Sequence, residues 1–222
     1  MRLFSDSIGR KAVMAVTGLL MVLFVVGHLL GNLSIFAGPN GINAYAEKLH
    51  TLGPVLWIVR LVMASAVLLH VVLSIAITTQ NWAAKPTKYA VARSLRATFA
   101  SKNMIWTGVV LAGFIGWHLL QFTFRVTPDV VAGLDAMNRF DVFTMVVSSL
   151  GRGFIGAMYV VAMVSLFLHL VHGVQSTFQT LGFSNASLLP CYGRFGKVLS
   201  GIFLVGYGAI PVLILVGFLA AK

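Results

Sequence analysis

Five long apolar runs limit what this chain can fold into more than any other feature of its sequence. A bilayer has an apolar core about 30 Å thick, which an α-helix crosses in roughly 20 residues. Isolated runs of this length fit helices far better than strands. The sequence therefore predicts an all-α integral membrane bundle, a single membrane domain over residues 1–222, with five transmembrane helices at about residues 12–36, 55–79, 103–124, 153–178 and 198–219.

Charge is distributed unevenly between the two sides of this predicted bundle. One side carries ten basic residues against Asp6 alone, namely Arg2, Arg10, Lys11, Lys85, Lys88, Arg93, Arg96, Lys102, Arg194 and Lys197. The other side carries all the remaining acids, which are Glu47, Asp129, Asp135 and Asp141. Because cytoplasmic loops are rich in Lys and Arg, the N-terminus is predicted to be cytoplasmic and the C-terminus outside. A net charge of +11 can indicate nucleic-acid binding in a soluble chain, but here we expect a lipid bilayer and no nucleic acid.

The single cysteine and the N-terminal segment exclude some classes of protein. Cys191, predicted to lie in a loop, excludes a cysteine-ligated iron–sulfur cluster, a CxxCH haem attachment and an intrachain disulfide framework. The first apolar run follows basic residues as in a signal peptide, but it is longer than a signal-peptide core and no small-residue cleavage site ends it. We therefore interpret it as the uncleaved first span of a multi-pass protein.

Four successive spans each carry a histidine at a similar distance from the start of the span. These histidines are His28, His70, His118 and His169, each 15 or 16 residues into its span, or roughly 22–24 Å along the helix. Because neighbouring helices run in opposite directions, His28 and His118 are expected in the outer half of the membrane. His70 and His169 are expected in the inner half, on the order of 15 Å away. Ionisable groups inside a membrane are costly and are functional candidates by default.

Two facing imidazoles in an apolar helix bundle are the ligand set of a six-coordinate b-type haem. Zinc would need three or four ligands at one level, and no span holds an Asp or Glu. The sequence therefore predicts two stacked bis-histidine haems b that carry electrons across the membrane. Glycines near the histidines would allow close approach of a haem. These glycines are Gly27, Gly31, Gly113, Gly116 and Gly173.

The fourth span leaves its ligand open, because His169 and His172 share roughly one helix face. His172 would lie about 4–5 Å nearer the cytoplasm. Depth matching favours His169, and His172 would then bond a propionate or a backbone group.

The chain resembles a known family in two stretches, SIGRKAVMAVTGLLMVLFVVGHLLGNLSIFAGPNGINAYAEKLH and HLVHGVQSTFQTLG, and in its length, five spans and four histidines. This family is the dihaem cytochrome b membrane anchor of succinate:quinone oxidoreductases, the cytochrome b558 type. The resemblance implies distal haem ligands His28 and His118, and proximal ligands His70 and His169. It also implies a flavoprotein subunit with covalent FAD and an iron–sulfur subunit as partners. The dicarboxylate site of succinate dehydrogenase or fumarate reductase would lie on the flavoprotein, in a bacterial cytoplasmic membrane.

The same resemblance implies a quinone site near the distal haem, with menaquinone as the expected quinone. Glu47 and His50 are the candidates for proton exchange there, because quinol chemistry moves protons with electrons; an ordinary solvated outer loop is the alternative. Lys11 and Arg152, at opposite mouths of the bundle, are candidates to pair with haem propionates. Because no span holds an acid, quinone chemistry at the outer face predicts electrogenic turnover.

Three other interpretations are compatible with the sequence. A quinol-oxidising dihaem cytochrome b of the nitrate-reductase type shares the five helices and four histidines but lacks the N-terminal motif. A haem-free proton-coupled transporter would use the histidines as relays, but it should show broken helices or inverted repeats, and no repeat is recognised. A purely structural anchor would have lost its haems. The sequence does not fix the direction of the reaction or whether the complex dimerises.

Overall fold

The computed structural model describes residues 6–84, 97–183 and 185–221. Within these ranges the chain forms eight α-helices: α1 Ser7–Asn32, α2 Gly38–His50, α3 Pro54–Ala83, α4 Phe99–Lys102, α5 Met104–His118, α6 Val142–Leu150, α7 Gly153–Thr180 and α8 Leu188–Leu215. A 3₁₀ turn, Leu33–Ala37, joins α1 to α2, and a π-helical turn, Leu119–Phe124, extends α5. These ranges contain no β-strand, only an isolated bridge between Leu134 and Phe140.

Five helical segments are long and apolar enough to cross a membrane. They are α1 continued through α2, α3, α5 with its π turn, α7, and α8. The predicted all-α fold with five spanning helices is therefore confirmed. The side of the membrane on which each terminus lies stays a prediction. Six of the charged residues that bear on it lie outside the described residues, namely Arg2, Lys85, Lys88, Arg93, Arg96 and Lys222.

The fifth span begins ten residues earlier than predicted, at Leu188 instead of residue 198. Asn185 accepts hydrogen bonds from the backbone N–H groups of Ser187 and Leu188, which satisfies donors at the start of the helix. Pro190 falls in the first turn, where its missing N–H costs nothing. The prediction of a loop around Cys191 was therefore wrong. The two basic residues of that loop, Arg194 and Lys197, also lie in α8.

The predicted outer loop NAYAEKLHTLG is also mostly helical, because it forms the larger part of α2. Gly38 turns the chain with φ +79°, a conformation that favours glycine, and Pro39 follows in the first turn of α2. Buried Asn43 then fastens α2 to the segment before α6. Its amide donates to Asp135 and Asp141 at 3.2 Å each, and its oxygen accepts from the backbone N–H of Phe143 at 3.0 Å.

The spanning helices pack as a bundle around α7, which contacts α1, α5 and α8, while α3 packs mainly against α1. One core cluster fills the end of the bundle near α2 and α6, with Ile35, Phe143 and Ile210 among its members. A second cluster surrounds Leu29 and Phe203. Many large apolar side chains point away from both clusters, most densely on α3. Such a surface suits hydrocarbon, where an apolar exterior has no hydration cost.

Candidate functional site

The structure brings His28 of α1 against His118 of α5. Their ring centroids are 5.9 Å apart and their planes make an angle of 86°. Each side chain is only partly buried, and aromatic rings enclose the pair: Phe24 stacks on His28, and Phe114 and Phe122 contact His118. The two imidazoles thus face each other in an apolar environment.

A second pair is formed by His70 of α3 and His169 of α7. Their ring centroids are 6.4 Å apart, with an interplanar angle of 64°. Among the described residues no ring contact joins His172 to His70. His172 instead lines a cleft of about 330 Å³ between α7 and α8, beside Gln175 and Arg194. The geometry therefore places His169, and not His172, opposite His70.

Threonines on the facing helices orient the second pair. Nδ1 of His70 lies 3.0 Å from the carbonyl oxygen of Met14 and 3.3 Å from the Thr17 hydroxyl. Nδ1 of His169 lies 3.1 Å from the Thr107 hydroxyl. A carbonyl can only accept, so His70 donates from Nδ1 and keeps a free lone pair on Nε2. A metal-binding histidine needs this arrangement, because its second nitrogen is normally held by such a partner.

The same threonines reveal a short repeat that the sequence analysis missed. Thr17-Gly18 precedes His28, and Thr107-Gly108 precedes His118, by eleven residues from threonine to histidine in each case. Each threonine contacts a histidine of the second pair on another helix, Thr17 at His70 and Thr107 at His169. The histidine eleven residues after each threonine belongs to the first pair. Eleven residues are just over three full turns, so each helix presents both sites on one face, about 16 Å apart. This spacing agrees with the two predicted levels.

Two glycines pack against the second pair, and one of them makes room for it. A Cβ placed on Gly18 would lie 3.2 Å from Cε1 of His70, tighter than an ordinary contact, and one on Gly108 would lie 3.5 Å from Cε1 of His169. The glycines singled out from sequence behave differently. Gly31 accommodates Tyr45 and Gly173 lies near Met104, whereas the other three face open space, namely Gly27, Gly113 and Gly116.

A buried polar chain extends from His118 and was not found from sequence. We call it the His118 chain: His118, Tyr159, Gln121 and Asp129. The Tyr159 hydroxyl lies 3.0 Å from Nδ1 of His118 and 2.6 Å from Oε1 of Gln121. Gln121 Nε2 in turn donates to the Asp129 carboxylate at 2.5 Å. The one signal available in the sequence was the presence of polar Gln121 and Tyr159 inside predicted spans, where such groups need partners.

Asp129 ends this chain beyond the spanning part of α5. Its side chain is almost fully buried, at 3% exposure, and Ser149 donates to its backbone carbonyl. Burial raises the pKa of the Asp129 carboxyl, but hydrogen bonds, first among them the one from Gln121, outweigh burial and leave that pKa below its usual range. Asp129 is therefore an anion at neutral pH. Gln121 lies on the π turn that directly follows His118, and π turns often occur at functional sites.

The remaining candidates lie farther from the histidine pairs. Glu47 and His50 are exposed on α2, where the His50 ring is 6.2 Å from that of Phe140. Arg152 is exposed and lines a cleft of about 400 Å³ near the end of α8. Lys11 is exposed as well.

Arg10 is a stronger candidate than Lys11 for an anionic group. It is partly buried, and its Nε has no hydrogen-bond partner among the described residues. It lies one helical turn before Met14, whose carbonyl oxygen holds His70. A buried, unpaired guanidinium nitrogen at this position suits a carboxylate ligand.

The two pairs fit a metal held between two imidazoles. A metal–nitrogen bond is about 2.0–2.1 Å, so two coaxial imidazoles on one metal have centroids roughly 6 Å apart once the rings' own radii are added. Both observed distances, 5.9 and 6.4 Å, agree with this value. In the described part of the chain no group of three or more His, Cys, Asp or Glu side chains could share a metal. Each pair thus offers two imidazoles and, among the described residues, no third His, Cys, Asp or Glu side chain beside them.

No family model matches the chain, and neither a curated protein nor a solved structure matches it. The fold and the histidine geometry therefore carry the functional conclusion.

Proposed function

We propose that this protein is the membrane anchor and electron-transfer subunit of a succinate:quinone oxidoreductase, with two stacked bis-histidine haems b. The observation that carries the proposal is the pairing of four histidines from four helices into two facing couples at ring distances of 5.9 and 6.4 Å. Two such couples on two levels are what a one-electron route across a bilayer needs. The sequence resemblance described above supports the choice of enzyme.

The chain's own residues would hold the two groups in place. His28 and His118 would ligate one iron, and His70 and His169 the other. Met14 and Thr17 orient His70, while Thr107 orients His169. When bound, the haems supply two one-electron carriers at different depths. Apolar rings around His28 and His118 would shield the group held between these two histidines from water.

Arg10 would pair with a propionate of the haem held by His70 and His169. It is preferred over Lys11 for this role. Arg152 has no described contact with either pair and is a weaker propionate candidate. His172 would serve the cleft that it lines with Gln175 and Arg194.

Partners follow from the same proposal. A flavoprotein with covalent FAD and an iron–sulfur subunit would dock on the side where the basic residues concentrate, and the membrane would be the cytoplasmic membrane of a bacterium. Quinone, with menaquinone as the expected species, would react near Glu47 and His50. Both side chains are exposed on α2, at the end of the bundle to which the His118 chain extends.

Purification of the tagged chain from its native membranes tests this proposal. Expected are co-purifying subunits with covalent flavin and iron–sulfur clusters, together with succinate-dependent reduction of haem. A molybdenum-containing partner and reduction by quinol alone would replace the proposal with a nitrate-reductase-type cytochrome. A colourless chain that moves protons would replace it with a transporter.

A further inference from the structure

The hydrogen bonds of the His118 chain can be oriented from its anionic end. A carboxylate only accepts hydrogen bonds, so Gln121 turns its Nε2 hydrogens towards Asp129. Its amide oxygen then faces Tyr159 at 2.6 Å, and this oxygen needs a donor. The Tyr159 hydroxyl has a single proton and gives it to Gln121.

The direction of that bond decides the state of His118. With its proton engaged by Gln121, the Tyr159 oxygen can only accept, and Nδ1 of His118 lies 3.0 Å from it. His118 therefore carries its hydrogen on Nδ1 and has its lone pair on Nε2. The opposite tautomer would leave two lone pairs facing each other inside a buried network, which is unfavourable because both groups would lack a donor.

We propose that Asp129, Gln121 and Tyr159 are positioning residues that fix His118 as the Nδ1–H tautomer and thereby tune one of the two histidine pairs. The tautomer follows from the hydrogen bonds of the His118 chain alone, whereas the tuning of the potential rests on the proposed haem function. An imidazole that donates to an anchored acceptor is a more basic ligand. More basic ligands stabilise the oxidised iron, so the His118 chain lowers the midpoint potential of the haem at the His28–His118 level.

The two levels differ in this respect. His70 donates to a backbone carbonyl and His169 lies against a threonine hydroxyl, so neither of these contacts reaches a charged group. Through Tyr159 and Gln121, His118 is linked to an anion. Interruption of the His118 chain should therefore change the midpoint potential of one haem and leave that of the other unchanged.

Tyr159→Phe is the direct test, because it removes the hydroxyl and keeps the ring. Tyr207→Phe is the matched control: Tyr207 is partly buried, its ring is 6.1 Å from that of His28, and its hydroxyl donates to the backbone carbonyl of Val25 and not to a histidine. Asp129→Asn is a milder variant that removes the charge, and its amide oxygen can still accept from Gln121.

Two readouts on the purified full-length protein separate the tautomer from the haem. ¹⁵N NMR of histidine-labelled protein, in the reduced diamagnetic state, should show Nδ1–H at His118 in all three proteins, because Nε2 would bind the iron. The Nδ1–H signal should have the shift of a hydrogen-bonded proton in the wild type and in Tyr207→Phe, and should lose that shift in Tyr159→Phe. Redox titration should show that one of the two midpoint potentials is higher in Tyr159→Phe than in the wild type. The expected rise is at most a tenfold change in the reduction equilibrium constant, which is about 59 mV for one electron. Asp129→Asn should give a smaller rise, and Tyr207→Phe none.

Each outcome decides the proposal. Nε2–H at His118 in the wild type overturns it, and so do unchanged potentials in Tyr159→Phe in a protein that holds two haems. Equal shifts in Tyr159→Phe and Tyr207→Phe overturn it too, because they would reflect general loosening near the pair. A protein without haem contradicts the proposed function, while the NMR result still decides the tautomer.

Discussion

The imidazole of His28 stands almost perpendicular to that of His118, at 86° between ring planes and 5.9 Å between centroids. The angle in the second pair is smaller, 64° between His70 and His169. Each pair therefore has its own ring orientation. The difference predicts distinguishable spectroscopic signatures for the two proposed haem sites.

We predict two low-spin ferric EPR signals with different anisotropy. Perpendicular axial imidazoles leave the iron orbitals close in energy and raise the largest g value, so the more anisotropic signal should come from the His28–His118 pair. His28→Ala should abolish that signal, and His70→Ala should abolish the other. A single signal, or loss of both signals in either variant, would contradict the assignment.

Gly18 and Gly108 provide a matched pair of substitutions. A Cβ on Gly18 would be 3.2 Å from His70, whereas one on Gly108 would be 3.5 Å from His169, an ordinary contact. Gly18→Ala should displace His70 and lower the affinity for the group between His70 and His169 by about 10–100-fold. Gly108→Ala should retain the affinity, because its Cβ would make only an ordinary contact with His169. Both changes carry the same gain in helix propensity, so propensity cannot explain a difference between them. The haem-to-protein ratio after purification measures the difference; equal ratios would show that Gly18 makes no room for the ligand.

The fold was largely predictable because spanning length and apolarity are local properties of the sequence. The pairing of histidines was predicted from depth, because helix rise sets how far along its span each histidine lies. The start of α8 and the helicity of α2 were not predictable in the same way. Asn43 holds α2 through residues more than 90 positions later, Asp135 and Asp141, and no local pattern encodes that contact.

The supporting groups of the site were missed for a similar reason. Space for a histidine ring is made on the opposite helix, by Gly18 for His70, and not by glycines beside the histidine in sequence. The His118 chain joins α5, the segment after it and α7. The Thr-Gly repeat before His28 and His118 was visible in the sequence, as were polar Gln121 and Tyr159, but their meaning required the fold.

Asn43 should contribute strongly to stability. It is 1% exposed and bonds to Asp135, Asp141 and Phe143. Asn43→Ala leaves these groups without their partner and should lower the free energy of unfolding by about 1–3 kcal/mol. Unfolding in detergent with increasing denaturant measures the loss.

Asn40→Ala is the control for this measurement. Asn40 is exposed and accepts one hydrogen bond from Arg139 at the surface, so its removal should change stability little. Equal effects of the two substitutions would mean that Asn43 does not fasten α2.

The Asp135–Arg139 ion pair predicts a pH-dependent part of stability. Arg139 donates to the Asp135 carboxylate at 2.9 and 2.7 Å, which holds the pKa of that carboxyl well below its usual range. A lowered folded-state pKa stabilises the protein above the unfolded value, about 3.9, and the stabilisation is lost as pH falls through the folded pKa. Asp135→Asn should therefore lower Tm at pH 7, and the gap from the wild type should narrow below about pH 4.

Thermal unfolding in detergent across this pH range checks the sign of the effect. Glu47→Gln, which removes a charge from the exposed face of α2, serves as control. A gap that widens as the pH falls would contradict the role assigned to Asp135.

The most direct measurement is a reduced-minus-oxidised absorption spectrum with haem quantitation on the purified protein. The account predicts two low-spin b haems per chain, with one lost from His28→Ala, the other lost from His70→Ala, and both retained in His172→Ala. A chain without haem, or a His28→Ala variant that keeps both, would contradict the paired-ligand scheme and return the four histidines to a proton-relay role.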